Sequence, residues 1–422
     1  MAVKVSAYFM VSWADSCASI FEPIFLYALI FYQGDDIITS RERHEARYQR
    51  RKAKRLKAAE KCCGKSFDEV FSFKNMTAVG KRCCNNARWK SSTINFEADL
   101  LARCKVKLDE IRSGQRKFKG FHSFAVVEHG KRRFIDSLPI DDRAIQKCLC
   151  DNILTEACSR SFIYDNSASL KYKGMDFALN RLKEHLRRHY RRHGTNGGIL
   201  LFDFKSFFAS LPHDKIKKRI NKVIWDRQLR ELLHSLIDDF KRMGQSDGSP
   251  FGVGLGSEVS QIIALDFASP IDHYIKDTCG AKGYGRYMDD GYVMSESLER
   301  LRRLLCEIRE IADRCGIRLS EKKCLIIPFR HHAFHFLKMR VFLTDTGKVI
   351  MKINKKCVKA MRRKIKIFFV WVKRGKFAYS DAYQSYQSWR AHAKRSNCYR
   401  TLKNMDSHFR RVFYEICCTQ AF

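Results

Sequence analysis

The sequence predicts an α+β fold in which a small antiparallel sheet carries helices on one face. Residues 198–203 form an apolar run between turn glycines and an acid, which indicates a buried strand. A Tyr-Met-Asp-Asp turn at 287–290 has strand-forming residues on both sides. Leucine and isoleucine recur at helical spacing before and after this turn. The resulting order, β-α-α-β-β-α-β, is typical of a split βαβ sheet.

The composition indicates a globular protein with a polyanionic partner. The 422 residues include 81 Lys and Arg against 45 Asp and Glu, a formal net charge of +36, and 45% are hydrophobic. That much apolar surface excludes a disordered chain and suffices for two or three cores. The charge favours nucleic acid, because each phosphate contact releases a condensed counterion. An enzyme for a small acidic substrate would need only a local basic pocket.

The cysteine pattern indicates reduced thiols. Seventeen cysteines occur, six of them as adjacent doublets, but there is no Cys-x-x-Cys and no zinc-finger spacing. We therefore predict a cytoplasmic protein without a disulfide framework, and a structural metal is not favoured.

Residues 1–35 are predicted to be an apolar leader that does not span a membrane. Their uninterrupted apolar run, residues 24–32, is too short to cross a bilayer. The leader is either a packed helix or upstream sequence outside the working protein. Residues 36–119 are predicted to be a basic, mostly helical extension. Residues 41–61 are dense in Lys and Arg, which indicates either a solvated helix or a phosphate-binding arm.

The remaining elements follow from periodicity and turn signals. Two apolar runs around His129-Gly130 predict a hairpin over residues 120–136. Helical spacing predicts helices over residues 144–157, 174–190, 226–243, 257–276 and 298–311. Glycines predict a loop over residues 246–256, and short apolar runs predict strands at 316–319 and 324–328. Beyond Phe336 we expect a basic and mainly helical chain.

Three acids are the candidate catalytic residues. Asp203 ends the buried strand, and Asp289 and Asp290 lie in the tight turn. A carboxylate next to Ile-Leu-Leu-Phe is costly to bury unless a cation compensates it. A hairpin beside the Asp203 strand would bring the three carboxylates together, as ligands for Mg²⁺. An Asp-Asp pair alone is most often only a turn, so the surrounding residues decide.

Five motifs occur in a fixed order within residues 120–345. They are Asp203-Phe-Lys-Ser-Phe-Phe, Gly254-Leu-Gly-Ser-Glu-Val-Ser-Gln, Tyr287-Met-Asp-Asp, Gly316-Ile-Arg-Leu-Ser-Glu-Lys-Lys-Cys and Phe336-Leu-Lys. In order and spacing this resembles a bacterial reverse transcriptase. The resemblance implies a right-hand polymerase fold. Its parts would be fingers at 120–197, a ferredoxin-like palm at 198–342 with a fingers insertion at about 212–250, and a helical, basic thumb at 343–422.

The resemblance also implies roles for single residues. Asp203, Asp289 and Asp290 would hold two Mg²⁺ ions, or Mn²⁺ in their place, with the backbone carbonyl of Phe204 as a further ligand. Lys323 would give a proton to the leaving pyrophosphate, and Phe208 matches the aromatic gate that excludes ribose. The other implied roles are nucleotide binding by Lys131, Arg133 and Gln261 and primer contact by Phe336, Leu337 and Lys338.

Some of these assignments have alternatives. Lys131 and Arg133 fit equally well as solvated charges of the hairpin. Ser161-Phe-Ile-Tyr-Asp-Asn departs from the Tyr-Gly-Phe-Arg-Pro pattern of bacterial members, so no template contact is assigned there. The His-rich stretch at 329–335 fits a structural or nucleic-acid contact better than a metal cluster.

The implied activity is RNA-directed DNA polymerisation, with an RNA template, a DNA or RNA primer and deoxynucleoside triphosphates as partners. The motif Leu255-Gly-Ser-Glu-Val-Ser-Gln is most similar to the enzymes of diversity-generating retroelements, which implies a retroelement accessory protein as a further partner. One alternative is an antiphage-defence reverse transcriptase with a structured non-coding RNA. Another is a non-catalytic RNA-binding protein on a polymerase scaffold. The presence of all three acids favours the enzyme.

Overall fold

The structure, a computed structural model, describes residues 40–114, 121–128, 131–240 and 250–419. The predicted leader at residues 1–35 lies outside the described residues. The chain divides into two units, residues 1–61 and 62–422. Most of α1 (Ser40–Cys63) belongs to the first unit. Its residues 45–58 are all exposed, as expected for a helix without an apolar stripe.

Four helices come first in the described part of the second unit. They are α2 (Phe67–Val70), α3 (Phe73–Cys84), α4 (Ser91–Ala98) and α5 (Leu100–Arg112). Ser66 and Ser72 cap α2 and α3, because each side chain accepts the amide N–H three residues further on. Phe71 and Phe96 are fully buried, so these helices contribute to the main core of the unit.

A hairpin and three helices follow. β1 (His122–Glu128) pairs with β2 (Lys131–Ser137) in an antiparallel register, which confirms the hairpin predicted over residues 120–136. The helices are α6 (Ile140–Leu149), α7 (Thr155–Ser159) and α8 (Met175–His193), with a π-helical turn at Cys150–Leu154.

A four-stranded antiparallel sheet lies at the centre of the second unit. Its strands are β3 (Gly198–Asp203), β4 (Tyr284–Tyr287), β5 (Asp290–Ser295) and β6 (Leu325–Pro328), in the spatial order β4-β5-β3-β6. The helices between these strands are α9 (Phe207–Ser210), α10 (His213–Val223), α11 (Arg227–Asp238), α12 (Glu258–Phe267), α13 (Ser269–His273) and α14 (Leu298–Cys315). The α+β fold predicted from the order of elements is confirmed.

Strand β3 divides its side chains between two cores. Leu200 and Phe202 belong to the main core, which includes the apolar faces of α12 and α14. Ile199 and Leu201 belong to a second core, which includes the apolar face of α8. Every residue of β3 is buried. The central sheet is therefore covered on both faces, and its near-continuous apolar run reflects this.

Two boundaries differ from the predictions. The helix predicted over residues 257–276 is divided, because Pro270 has no N–H to donate and stands at the start of α13. Residues 316–319 are not a strand. Gly316, with φ of +86°, ends α14, and Leu319 forms an isolated bridge to Phe204.

We expected a mainly helical chain beyond Phe336, and this is wrong for the residues up to Ile353. Residues 333–353 form a second antiparallel sheet of β7 (Ala333–Phe336), β8 (Met339–Leu343) and β9 (Val349–Ile353). Met339, Val341 and Leu343 are buried and Arg340 between them is exposed, which is the alternation of a half-buried strand. Strands of four or five residues show too few repeats of that pattern to stand out among basic residues.

Three helices end the described chain: α15 (Lys355–Lys373), α16 (Tyr379–Lys394) and α17 (Tyr399–Thr419). They have a core of their own, which includes Ile365, Phe368 and Phe413. Arg390 of α16 forms an ion pair with Asp406 of α17 at 2.9 Å. These helices thus form a bundle with an apolar core and a basic exterior.

The cysteines that the structure describes are free thiols. Burial raises the pKa of Cys148 to about 12, and Cys150 and Cys158 are also buried. Such thiols act as small apolar side chains rather than as nucleophiles. Within the described ranges, no helix has the length and apolar character needed to cross a membrane.

Gly291 makes room for an aromatic ring in the centre of the sheet. It is the cross-strand partner of Phe202, and a Cβ built on it would lie 2.2 Å from the Cζ atom of that ring. Phe202 is 2% exposed, so its ring is confined by the main core. Packing, rather than an unusual backbone angle, therefore requires glycine here.

We expect Gly291→Ala to lower the free energy of unfolding by about 1–3 kcal/mol, because the added methyl overpacks the core. The same change in a Phe202→Leu background should cost less, since leucine leaves space for the methyl. Urea unfolding of the wild type, the two single variants and the double variant measures this coupling. An unchanged cost in the leucine background would contradict the packing argument.

Candidate active site

The register of the central sheet places two acids side by side. Asp203, the last residue of β3, is the cross-strand partner of Asp290, the first residue of β5. Side chains directly opposite each other lie on the same face, with Cβ atoms about 5 Å apart. By alternation this is the face of Leu201 and Tyr292, which belong to the second core. The acids therefore lie at the end of the sheet, just beyond that core.

The turn between β4 and β5 is a two-residue hairpin loop. Met288 and Asp289 form it between the paired residues Tyr287 and Asp290. Met288 has φ of +57°, a region that residues with a side chain rarely adopt. The carbonyl of Asp289 accepts a hydrogen bond from the N–H of Phe204 at 3.3 Å. This bond ties the acidic turn to the residue that follows Asp203.

A buried arginine supports this turn. The guanidinium of Arg286 donates to both carboxylate oxygens of Asp272 in α13, at 2.8 and 2.6 Å. It also donates to the carbonyls of Met288, at 2.7 Å, and Leu265, at 3.1 Å. The hydroxyl of Tyr284 donates to the same carboxylate. The acidic turn is therefore anchored to two helices through one side chain.

Lys323 brings a positive charge to the acid pair. It ends the 3₁₀ turn Glu321–Lys323, and its ammonium donates to the carboxylate of Asp203. Partial burial lowers the pKa of Lys323, but the hydrogen bond to Asp203 and the nearby acids outweigh it, so this pKa lies above its usual value. The ammonium group thus keeps its proton at neutral pH. The Ser320 N–H donates to the carbonyl of Asp203 at 2.8 Å and holds the lysine turn beside β3.

Repulsion between the acids appears in the pKa of Asp290. Burial first, and then the charges of Asp289 and Asp203, raise this pKa to about 7. A divalent cation would relieve the repulsion, and carboxylate oxygens are ligands that Mg²⁺ prefers. The carbonyl of Phe204 accepts no backbone hydrogen bond within the described residues, so it is a further oxygen available to such an ion. The oxygens gathered here are therefore of the type that a divalent metal prefers.

The predicted convergence of three acids is present only in part. Asp203 and Asp290 are together, and Asp289 is close enough to raise the pKa of Asp290. Among the described residues, no three His, Cys, Asp or Glu side chains converge on one point as metal ligands do. The ammonium of Lys323 is bound to Asp203 instead.

The two adjacent phenylalanines after Asp203 have different environments. Ser206, with φ of +50°, leads into α9. Phe207 is 3% exposed, and its ring lies 5.0 Å from that of Phe204, so it is a core residue. Phe208 is half-buried, and its carbonyl accepts the N–H of Val253 at 2.7 Å. Phe208 is therefore the one of the pair whose ring is left accessible.

Gln261 lies in α12, one turn after the capping residue Ser257. Its N–H donates to the carbonyl of Ser257 at 3.3 Å, so it is already part of the helical hydrogen-bond ladder. Its side-chain carbonyl accepts the hydroxyl of Ser169 at 2.7 Å. This bond fixes the orientation of the amide group.

The residues predicted to contact the primer form the turn between β7 and β8. Phe336 pairs with Met339, and the loop residues Leu337 and Lys338 have φ of +47° and +65°. Two positive φ angles are typical of a type I′ turn, which most often contains Asn-Gly. The ring of Phe336 packs 5.1 Å from that of Tyr292 in β5. The turn therefore lies on the same face of the central sheet as the acid pair.

Backbone strain is concentrated in the predicted motifs. Eight non-glycine residues in the described chain have positive φ, and half of them belong to these motifs: Ser206, Met288, Leu337 and Lys338. Residues in this region cost about 1–3 kcal/mol each and occur most often at functional sites. The strained turns thus point to the same site as the acids.

The sequence alone does not identify Arg286 and Asp272 as site residues. The signal available in the sequence was Arg286, a charged residue within a predicted strand. A charge that is buried in a strand requires a partner. That signal could not identify the partner, because Asp272 lies 14 residues away on a different element.

Two predictions are not resolved by the geometry. The backbones of Lys131 and Arg133 lie in β2, but their side chains are outside what the structure describes. The His-rich stretch at 329–335 leads from β6 into the first residues of β7, and it contributes to no metal cluster in the described part of the chain.

Comparison with known proteins shows the family to which the chain belongs. Residues 119–341, more than half of the chain, match the family described as reverse transcriptase (RNA-dependent DNA polymerase). The chain therefore belongs to the reverse transcriptase family. No curated protein matches its sequence. A solved structure of telomerase from Candida albicans with the TWJ fragment of telomeric RNA is similar, with 12% identity and a TM-score of 0.45. The similarity covers 72% of this chain and 61% of the telomerase chain.

We expect Arg286→Met to lower the free energy of unfolding by about 3–5 kcal/mol, because it leaves the carboxylate of Asp272 buried without a cation. The double variant with Asp272→Asn should recover most of this loss, since the neutral amide still accepts the hydroxyl of Tyr284. Urea unfolding of the two proteins measures the difference. Equal stabilities would show that the buried charge is not the cause.

Proposed function

We propose that the chain is an RNA-directed DNA polymerase that adds deoxynucleotides to a primer 3′-hydroxyl on an RNA template. The observation that carries this proposal is the Asp203–Asp290 pair with Lys323, at the end of the central sheet in a member of the reverse transcriptase family. Phosphoryl transfer depends mainly on positioned charge, which this site supplies. In this proposal residues 120–197 are fingers, 198–342 the palm and 343–422 the thumb.

The acids are proposed to hold the metal ions. Asp203, Asp289 and Asp290, with the carbonyl of Phe204, would bind two Mg²⁺ ions, or Mn²⁺ in their place. When bound, these ions neutralise the triphosphate and favour ionisation of the primer 3′-hydroxyl. The chain itself holds Asp203 and Asp290 on adjacent strands, and the Phe204 N–H and Arg286 keep in place the turn that contains Asp289.

The other site residues are proposed to handle the proton, the nucleotide and the primer. Lys323 holds a proton on its Nζ atom next to Asp203, where a pyrophosphate oxygen can accept it. The half-buried ring of Phe208 would face the sugar of the nucleotide. The strained Leu337–Lys338 turn, packed on the sheet through Phe336, would position the primer end. The proposed nucleotide ligands on other elements are Lys131, Arg133 and Gln261.

A retroelement is the proposed biological context. The Leu255–Gln261 motif supports a bacterial enzyme of the diversity-generating type, with an accessory protein as partner and a cytoplasmic location. An antiphage-defence enzyme with a structured non-coding RNA is the alternative. A template repeat and a variable repeat beside the gene would support the retroelement, whereas a gene for a structured RNA in their place would support defence.

Asp290→Asn should abolish primer extension on an RNA template while leaving RNA affinity nearly unchanged, because affinity comes from dispersed cations. Asp313→Asn, a change of an exposed acid on α14, is the matched control and should retain activity. Extension and RNA binding are measured on the same preparations. Near-normal extension by the Asp290→Asn protein would overturn the proposed active site.

Phe208→Val should increase the use of ATP relative to dATP by roughly a hundredfold. A phenyl ring offers a 2′-hydroxyl neither space nor a hydrogen bond, and ~3 kcal/mol of such discrimination corresponds to about two powers of ten. The ratio of kcat/KM for dATP and ATP measures the effect. Phe73→Val, at an exposed phenylalanine in α3, is the control. An unchanged ratio in protein that still extends primers would show that Phe208 is not the gate.

A further inference from the structure

A basic groove lies at the end of the central sheet opposite the acids. It is a groove of about 1240 Å³ whose floor includes Val293, Met294 and Ser295, at the far end of β5 from Asp290. Ser295 lies five residues after Asp290 along β5, which corresponds to roughly 17 Å. The groove is therefore distinct from the candidate active site.

Three elements direct cations into this groove. They are the last two turns of α8, the segment 274–283 before β4, which begins with a π-helical turn, and the first part of α14. The basic residues in the lining are Arg188, Arg191, Arg192, Lys276, Lys282, Arg300 and Arg303. The acids in the lining are Glu296 and Glu307. The lining thus has a clear excess of positive charge.

Some of these charges hold the walls in place. Arg300 donates to the carbonyl of Cys279 at 3.0 Å and forms an ion pair with Glu296 at 3.4 Å. Lys276 forms an ion pair with the buried Asp165 at 2.9 Å. These contacts link α14 to the segment 274–283, and that segment to the one that precedes α8. The groove is therefore built by side-chain contacts and is not a gap between loose segments.

Arg188 forms an ion pair with Glu184 within α8, and the other four cations have no such role. Arg191, Arg192, Lys282 and Arg303 are exposed, and within the described part of the chain none of them forms an ion pair or a side-chain hydrogen bond. The helix dipole accounts for cations in the last turn of α8, but it does not account for Lys282 or Arg303. Unpaired charges of one sign around a concave surface repel each other unless an anion lies between them.

The chemistry of the lining selects the kind of anion. Proteins that hold single-stranded nucleic acid use exposed aromatic rings on which bases stack. In the described residues no Phe or Trp lines the groove, and the hydroxyl of Tyr274 is bound to Glu307. Three histidines line it, but His185 and His189 are buried, and the ring of His193 lies 5.2 Å from that of His189. Arginine and lysine without stacking rings recognise the phosphate backbone and its shape.

We propose that this groove binds the phosphate backbone of a double-helical RNA segment, outside the site of synthesis. The choice of RNA rests on the proposed function, since an enzyme that copies RNA must hold a template whose remaining parts can fold into helices. Arg191, Arg192, Lys282 and Arg303 are the contacts. The groove would keep the folded RNA on the enzyme while its single-stranded part is copied.

The test compares two full-length variants that lose the same charge. The groove variant carries Arg191→Gln, Arg192→Gln, Lys282→Gln and Arg303→Gln. The control carries Lys222→Gln, Arg227→Gln, Arg302→Gln and Arg309→Gln, all exposed and outside the groove lining. Binding to an RNA duplex of about 16 base pairs is measured by fluorescence anisotropy over a range of salt concentrations, without nucleotides.

The groove variant should bind the duplex at least roughly tenfold more weakly in low salt, and its slope of log affinity against log salt should fall by about 2–4. The control should change by less than about one unit of slope. Equal losses in the two variants would overturn the proposal. An equal loss with single-stranded RNA would refute the duplex assignment, and an equal loss with duplex DNA would refute the choice of RNA.

Primer extension separates this proposal from the proposed function. Both variants should extend a short primer already annealed to its template at the wild-type rate, because that substrate does not reach the groove. If the wild type binds duplex RNA through the groove but extends no primer, the polymerase assignment fails and the groove remains. Equal thermal unfolding midpoints show that both variants are folded.

Discussion

The candidate site depends on the buried ion pair between Arg286 and Asp272. Both side chains have 0% exposure, and an ion pair removed from water is favourable only when its other polar groups are also satisfied. Here the carbonyls of Leu265 and Met288 and the hydroxyl of Tyr284 complete the network. These groups belong to different elements, so one network joins α12, α13, β4 and the acidic turn.

A second constraint, strand register, explains how repelling acids stay together. Asp203 lies opposite Asp290 because Phe202 lies opposite Gly291 in the same ladder. A slip by one residue would exchange the two faces of β3. Since apolar residues of β3 are buried on both faces, such a slip would disrupt two cores at once. The energy of the surrounding core therefore offsets the cost of burial and repulsion, the two effects that raise the pKa of Asp290.

The many Lys and Arg side chains of this protein have more than one role. Next to the acids, Lys323 compensates a buried carboxylate, and Lys276 and Arg181 do the same for the buried Asp165. In the groove at the other end of the sheet, Arg191, Arg192, Lys282 and Arg303 have no ion-pair partner among the residues that the structure describes. Charge that is paired inside the protein stabilises the fold, whereas unpaired charge on a concave surface is available to phosphate. Net charge alone does not distinguish these two uses.

The sequence by itself determined the strand at 198–203, the acidic hairpin and the class of protein, because these depend on short patterns within a few residues. It did not reveal the second sheet, whose strands are too short for a clear alternation. Only the tertiary structure decided which residues support the acids. Lys323 is 120 residues from Asp203, and Asp272 is 14 residues from Arg286, so each pair meets only when strands and helices pack. The basic groove also depends on packing, because its cations come from three elements and no local pattern in the sequence joins them.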